Sequence, residues 1–417
     1  MVSWSGPESA GVPERIVVAG GGLAGLRTIE ELRSRGYQGA VTLVGAEPWL
    51  PYDRPPLSKK FMIGELDDTS LRPDLSALGV QARLGEAATG VTGGLLRTDR
   101  GEHRFDALVL ATGARPVALP GPGRQRFLRT IDDARALREV LVPGLRLVIV
   151  GAGWIGAELA TAAAARGCRV TVLEAAATPL AAAVGEQVGA LTAGWYAAAG
   201  VELRLSQPVE SAEPGGLALA GGEWLPADEI VTAVGVRPDV AWLAGGGLAS
   251  DSAASDSAAS DGVALDNGVA VDEGLRTSMR GVFAAGDCAA FWSRRYQRRL
   301  RFEHWDVALR APAVLAANLL GGTDTYDPVP YFWSEQFGRM VQYAGFHGGA
   351  GRLVLRGDPA GHRWAACWLT GTSLVAMLTV DAPRDLLQGR RVIESGQAVD
   401  EARLADPGIP IRDAGLR

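Results

Sequence analysis

The sequence predicts an α/β protein: two Rossmann-like, doubly wound domains followed by a smaller α+β domain with antiparallel sheet. Three observations carry this expectation. An apolar strand, a glycine loop, a helix and a second strand occur in that order twice. Glycine, at 55 of 417 residues, is well above the roughly 7% average. Short apolar runs broken by turn residues then replace the helical pattern from Tyr331 onward.

In chain order, Ile16 to Ala19 reads as a buried strand, GGGLAG (Gly20 to Gly25) as the loop, the residues to Arg33 as a helix, and AVTLV (Ala40 to Val44) as the second strand. Leu147 to Val150, GAGWIG (Gly151 to Gly156), an Ala-rich stretch through Ala165 and RVTVLE (Arg169 to Glu174) repeat the series. Strands separated by helices must run parallel, so each series is a βαβ unit and each unit the start of a sheet. SDSAA occurs twice in succession from Ser250 to Ala259, with too little apolar surface to offset ordering, and reads as an expanded surface loop. RLVLRG (Arg352 to Gly357) and the run Trp364 to Val380, interrupted by Thr370-Gly371-Thr372-Ser373, read as antiparallel strands. The expected domains are therefore 1–117 and 243–323 for the first nucleotide domain (with the low-complexity loop at 249–261), 118–242 for the second, and 324–417 for the last.

Composition excludes several classes. A net charge of −6 is wrong for a nucleic-acid binder. Three scattered cysteines, Cys168, Cys288 and Cys367, make neither a disulfide framework nor a zinc site, so no metal is expected and a reducing, cytoplasmic home fits. Met1 to Val12 has no apolar core of a signal peptide, and no run reaches the ~20 apolar residues of a membrane span.

The glycine loops point to dinucleotides. In G-x-G-x-x-G the first glycine makes the tight turn, the second admits a pyrophosphate to the backbone, and the third lets helix and strand approach. The helix N-terminus behind adds amide donors and a positive dipole end. The first loop contributes Gly20, Gly22, Leu23, Ala24 and Gly25; the second contributes Gly151, Gly153, Trp154, Ile155 and Gly156. Glu174, ending the second unit's second strand, is placed to accept from ribose hydroxyls, and Ala175, Ala176 and Ala177 offer no arginine for a 2′-phosphate, which favours NADH over NADPH. In the first unit the nearest carboxylate is Glu47. Two such sites in one chain imply FAD in one and NADH in the other.

Several further segments occur in a fixed order: LVGAEPWLPYDRPPLSK (Leu43 to Lys59), LVLATGARP (Leu108 to Pro116), TAVGVRPD (Thr232 to Asp239), VFAAGDCA (Val282 to Ala289), EHWDVALRAP (Glu303 to Pro312) and YFWSEQFG (Tyr331 to Gly338). With these, the sequence resembles the oxygenase-coupled NADH–ferredoxin reductases over roughly Pro13 to Val399. PYDRPPLSK and EHW are particular to that branch; the glycine loops, ATG and GD belong to the wider two-dinucleotide flavoprotein fold. The resemblance implies hydride transfer from NADH to flavin N5 and single-electron transfer to an iron–sulfur ferredoxin serving a haem monooxygenase or a ring-hydroxylating dioxygenase. It implies that Asp287, after Gly286, lies on the FAD ribitol, and that Arg54 and Lys59 lie by the flavin and its phosphates. Arg129, Ala24 and Ala88 match FAD-contacting positions. Trp305 would cover one flavin face, with Glu303 and His304 beside it, and Trp333 would lie near the isoalloxazine ring. Ala111, Thr112 and Gly113 belong to the first nucleotide site, and Val234 and Gly235 to the second. Glu158 would point toward the nicotinamide and can pair with Lys59. The candidate catalytic set is thus Lys59, Glu158, Trp305 and Trp333, all as positioning and tuning groups, since hydride transfer needs no protein base.

Where relatives often carry arginines, this chain has Thr178 and Ala182, which predicts a weaker KM for NADH. The absence of C-x-x-C or C-x4-C, and of any cysteine from Leu43 to Gly64, sets aside the thiol-using flavoproteins of the same fold. A rubredoxin, nitrite or quinone-type reductase and an NADH-sensing flavoprotein are the alternatives. Arg294, Arg295, Arg298, Arg299 and Arg301 in SRRYQRRLR are a candidate steering patch for an acidic ferredoxin. A monomer or homodimer is expected.

Overall fold

The structure, a computed structural model, describes residues 11–246, 249–250 and 263–416. The first series is β1 (Arg15–Ala19), α1 (Leu23–Ser34) and β2 (Ala40–Gly45), extended by β3 (Val80–Leu84) and β4 (Ala107–Leu110). The second is β5 (Arg146–Val150), α2 (Trp154–Ala165), β6 (Arg169–Leu173), β7 (Glu202–Arg204) and β8 (Glu229–Thr232). The chain then returns to the first sheet with β9 (Val282–Ala284) and continues into α3 (Trp305–Leu319). Last come β10 (Tyr331–Gln336), β11 (Arg339–Gly345), β12 (Arg352–Gly357), β13 (Trp364–Thr370), β14 (Ser373–Val380) and α4 (Pro383–Ser395).

The first sheet has order β9-β4-β1-β2-β3 and every pairing is parallel. Its central strands are apolar throughout because helices and loops cover both faces, so Ile16, Val17, Val18 and Leu108 are all buried. The second sheet, β7-β6-β5-β8, is likewise parallel. The α/β architecture expected from the two repeated series is therefore present. The tract 251–261 lies outside the described residues.

The third sheet, β10-β11-β14-β13-β12, is antiparallel. The expected turn joins β13 to β14, with Gly371 at φ +60° where a left-handed residue is needed. Leu386, Val392 and Ile393 of α4 pack with Cys367, Leu374 and Met377 in a core beneath it. Arg356 of β12, 3% exposed, ties down the chain end: it pairs with Asp385 at 2.9 Å and donates to the carbonyls of Leu404 and Ile409 at 3.0 and 2.8 Å.

The chain forms two compact units, one of residues 1–53, 70–115 and 237–328, the other of 54–69, 116–236 and 329–417. Two groupings differ from the sequence reading. The segment 54–69, expected in the first nucleotide domain, goes with the second unit. There Arg166 donates to the carbonyl of Met62 (3.2 Å), and Arg138 pairs with Asp67 (2.7 Å) and lies over the Phe61 ring (5.3 Å). The second parallel sheet and the C-terminal sheet also share that unit, for which α2 and β10 supply the joint described below.

Candidate functional site

The first cradle belongs to the first unit. Gly20 has φ +131°, and a Cβ there would stand 2.0 Å from the carbonyl oxygen of Ala111. A Cβ on Gly25 would meet the carbonyl oxygen of Gly20 at 2.0 Å, so β1, α1 and the Ala111 loop close on one another only through glycines. Gly22 is the opposite case: a Cβ would meet nothing within 4 Å. It is the N-cap of α1 and has no side chain to cap the first amides, Leu23 and Ala24 included. Open space facing uncapped helix amides is what a pyrophosphate requires. These residues fit a dinucleotide.

Gly286, at φ +77°, brings the turn Gly286–Cys288 against the start of α1, where its Cβ would stand 3.0 Å from that of Ala24. Asp287 is thereby carried to the mouth of the cradle. Thr112 donates to the carbonyl of Asp239 (2.7 Å), and Gly113 adopts φ +74°. Glu47 accepts from the Tyr52 hydroxyl (2.5 Å). Glu303 pairs with Arg301, which also donates to the carbonyl of Asp287. His304 is the N-cap residue of α3, and its ring stacks on Phe302 at 4.9 Å. Desolvation pushes its pKa down to about 4, against a smaller opposing pull from Asp287. Trp305 donates its indole N–H to Asp53 at 2.7 Å. Ala88 begins a strand (Ala88–Thr92) of a separate three-stranded antiparallel sheet.

The second cradle repeats the first. Gly151 has φ +108° and its Cβ would lie 2.5 Å from the carbonyl oxygen of Ala233 and 3.2 Å from the amide of Val234. A Cβ on Gly156 would meet the Gly151 carbonyl at 2.0 Å, whereas Gly153 faces open space and caps α2 without a side chain. Val234 and Ile155 are exposed at this mouth and Gly235 has φ +112°. The Glu174 carboxylate accepts from the amides of Ala152 (2.8 Å) and Ala176 (2.9 Å), which holds a fixed negative charge beside the glycine loop. The Thr178 hydroxyl is turned inward toward Gly189, and Ala182 is exposed, so neither supplies a cation.

Glu158, on α2, is 3% exposed. Its Oε2 accepts from Lys59 Nζ at 2.7 Å and from the Ser58 hydroxyl; its Oε1 accepts from the Ser334 hydroxyl at 2.6 Å. Lys59 also donates to the carbonyl of Pro55 (3.2 Å). Arg54 donates to the carbonyl of Arg129 (2.6 Å), joining two residues expected at one ligand. Trp333 is on the face of β10 opposite Ser334 and stacks on Tyr331 at 6.1 Å. Sequence reasoning missed Asp53, Ser58 and Ser334; the only signal for each was its place inside PYDRPPLSK or YFWSEQFG.

Cys288 and Cys367 are fully buried, and desolvation pushes their pKa values to about 11 and about 12. The described residues hold no three-residue metal-binding cluster and no helix long and apolar enough to cross a membrane. The arginine stretch is less positive than its spacing implies, because Arg294, Arg299 and Arg301 each sit against a carboxylate, Glu273, Asp266 and Glu303 respectively.

Residues 14–311 match the family described as pyridine nucleotide-disulphide oxidoreductase, and residues 331–415 match the reductase C-terminal family. The chain belongs to the pyridine nucleotide-disulphide oxidoreductases. This oxidoreductase is 36% identical, over 95% of its own length and 98% of the relative's, to the ferredoxin–NAD(+) reductase component of an anthranilate 1,2-dioxygenase system from Burkholderia cepacia. It is 30% identical to putidaredoxin reductase from Pseudomonas putida, with 96% of each covered. Among solved structures, Fdr9 is 48% identical with a TM-score of 0.89, covering 95% of the oxidoreductase and 99% of that chain. The covalent putidaredoxin reductase–putidaredoxin complex is 29% identical with a TM-score of 0.88, covering 96% and 98%. The oxidoreductase is a flavin- and NAD-dependent enzyme of this family.

Proposed function

We propose that the chain is an FAD-containing NADH:ferredoxin reductase that supplies a haem monooxygenase or a ring-hydroxylating dioxygenase through a small iron–sulfur protein. The observation that carries it is a pair of glycine cradles, each open at its second glycine, in a chain whose buried cysteines offer no dithiol. Bound FAD supplies the conversion of a two-electron donor into a one-electron source.

The chain's own residues bind and orient. Gly20, Gly22 and Gly25 hold one nucleotide and Gly151, Gly153 and Gly156 the other. Glu174 accepts from the NADH ribose and repels a 2′-phosphate. Asp287 holds the FAD ribitol, and Arg54, Lys59, Ala88, Arg129, Glu303, His304 and Trp333 keep the FAD-contacting roles that the resemblance implies. Asp53 fixes the Trp305 ring that covers one flavin face. Glu158, charge-paired with Lys59, sets the nicotinamide; a buried ion pair is costly and is kept here with every carboxylate oxygen given a donor.

The test compares NADH-driven turnover with a ferredoxin, a rubredoxin and a quinone as acceptors, and with NADPH in place of NADH. Ferredoxin turnover at least tenfold above the others, with NADH strongly preferred, is expected. Equal rates with all acceptors would refute the ferredoxin assignment, and a long-lived reduced enzyme unreactive toward ferredoxin would favour a sensor.

A further inference from the structure

One face of α2 carries Trp154, Glu158 and Thr161, spaced by four and then three residues. One face of β10 carries Phe332, Ser334 and Gln336, spaced by two. The two faces meet at the first two pairs, and the third contact comes from the residue just after β10. Trp154 packs edge-on against Phe332 with centroids 4.5 Å apart, Ser334 donates to Glu158 at 2.6 Å, and the Phe337 amide donates to Thr161 Oγ1 at 3.0 Å. Only the middle contact touches a charge.

The serine's hydrogen bond has a fixed direction. Gln336 Nε2 donates to Ser334 Oγ at 3.1 Å, so a lone pair of the hydroxyl is taken and its single proton goes to Glu158. Ser334 is 0% exposed, so water does not replace it. Lys59 and Ser58 both lie on Oε2; Ser334 is what satisfies Oε1. Without that third donor the carboxylate is restrained at Oε2 alone, and Oε1 can swing about the terminal torsion, which is broad and two-fold. The C-terminal domain thus reaches a charged group on the nucleotide-binding helix through one hydroxyl.

We propose that Ser334 is a positioning residue for the nicotinamide half of NADH: it fixes the rotation of the Glu158 carboxylate and so the polar edge against which that ring is set. The proposal rests on the reading, given above, that Glu158 faces the nicotinamide. A misplacement of the reacting group on the scale of an ångström costs rate far more than affinity, since pyrophosphate and ribose contacts dominate binding.

The test uses holoenzyme with Ser334→Ala, Glu158→Gln and the double variant. In Ser334→Ala the limiting rate of flavin reduction by NADH falls about tenfold, while the NAD+ dissociation constant, from calorimetry, moves less than about twofold. In the Glu158→Gln background the same serine change alters the rate less than about twofold, because Lys59 and Ser58 hold the amide oxygen and leave an N–H rather than an acceptor facing Ser334. The melting temperatures of the four proteins show the same non-additivity, independently of turnover. Wild-type reduction by Ser334→Ala, or a loss that persists in full in the Glu158→Gln background, overturns the proposal. Unchanged reduction by Glu158→Gln alone instead overturns the reading of Glu158 on which it rests. Should Ser334→Ala fail to retain flavin, Ser334→Cys, a near-isostere with a weak donor, carries the same expectations, and Ser334→Thr, which keeps the hydroxyl, restores the rate.

Discussion

Neighbouring glycines of one loop fail in different ways. Gly151→Ala forces φ +108° on an L-residue and drives a Cβ to 2.5 Å from the Ala233 carbonyl oxygen. The conformational part alone costs about 1–2 kcal/mol, and the overlap brings the total to roughly 3 kcal/mol or more. At about 2–4 °C per kcal/mol, the melting temperature falls by roughly 6–12 °C. Gly153→Ala sits at φ −74°, ψ −171°, which any residue adopts, with nothing within 4 Å of the new methyl. It leaves stability unchanged or raises it by roughly 0.4–1 kcal/mol through the unfolded state. Its cost falls on the ligand. Holding a pyrophosphate oxygen away from backbone amides loses a charge-assisted hydrogen bond of about 1.5–3 kcal/mol, or 10- to 100-fold in NAD+ affinity. The assay is a circular-dichroism melt and NAD+ calorimetry on flavin-loaded enzyme, the flavin absorbance serving as a check on the first cradle. Wild-type NAD+ affinity in Gly153→Ala, or a melt below that of Gly151→Ala, would refute the assignment of the second glycine to the pyrophosphate.

Three further outcomes follow from the site. Under native conditions a maleimide labels Cys168 alone, with NADH-driven turnover retained, because Cys288 and Cys367 are buried with pKa values pushed to about 11 and about 12; stoichiometric inactivation on labelling Cys288 would bring back a thiol relay. His304, held at about 4 against an ordinary 6.5, binds fewer protons folded than unfolded, so its contribution is present above pH 6.5 and lost as pH falls from there toward 4. A displacement of that size is worth about 3 kcal/mol, so His304→Phe should melt with a flatter acid limb; an unchanged limb counts against it. Ala182→Arg adds a cation at an exposed position beside the second cradle and should tighten NADH binding about two- to fivefold at low salt, while a wild-type dissociation constant already in the low micromolar range would show that arginines at 178 and 182 are not needed.

Sequence reached furthest where the physics is local. A strand, three glycines and a helix lie within the 20 residues Arg15 to Ser34, and the third glycine is required by a contact inside that span, Gly25 with Gly20, while the first meets Ala111 and the second meets nothing within 4 Å. Spacing along the chain carried the expectation against thiol chemistry, because C-x-x-C and C-x4-C are local patterns and neither occurs. The basic stretch carries less free charge than its spacing implies for the converse reason: Glu273 and Asp266, which sit against Arg294 and Arg299, lie more than twenty residues upstream with nothing in the pattern to pair them. The segment 54–69 was assigned by chain continuity, yet its apolar residues Phe61 and Met62 are packed and hydrogen-bonded among Arg138 and Arg166.

Glu158 marks the boundary between the two kinds of information. Its residue type and its place after the second glycine loop are legible, but its three donors come from position 58, position 59 and position 334, and the last is 176 residues away. Neither periodicity alone reveals the meeting of Ser334 with Glu158; it needs a 3.6-residue face on α2 and a two-residue face on β10 in one register. Shifting β10 by a single residue would present Trp333 or Glu335 to Glu158 instead of Ser334. A second carboxylate there would repel the first, and an indole would fill the space without satisfying Oε1 through a hydroxyl. The three donors on Glu158 are therefore a constraint on how the last domain docks, and on the function proposed above a chain that kept the second glycine loop but slipped this strand would keep NADH bound and lose the setting of its nicotinamide.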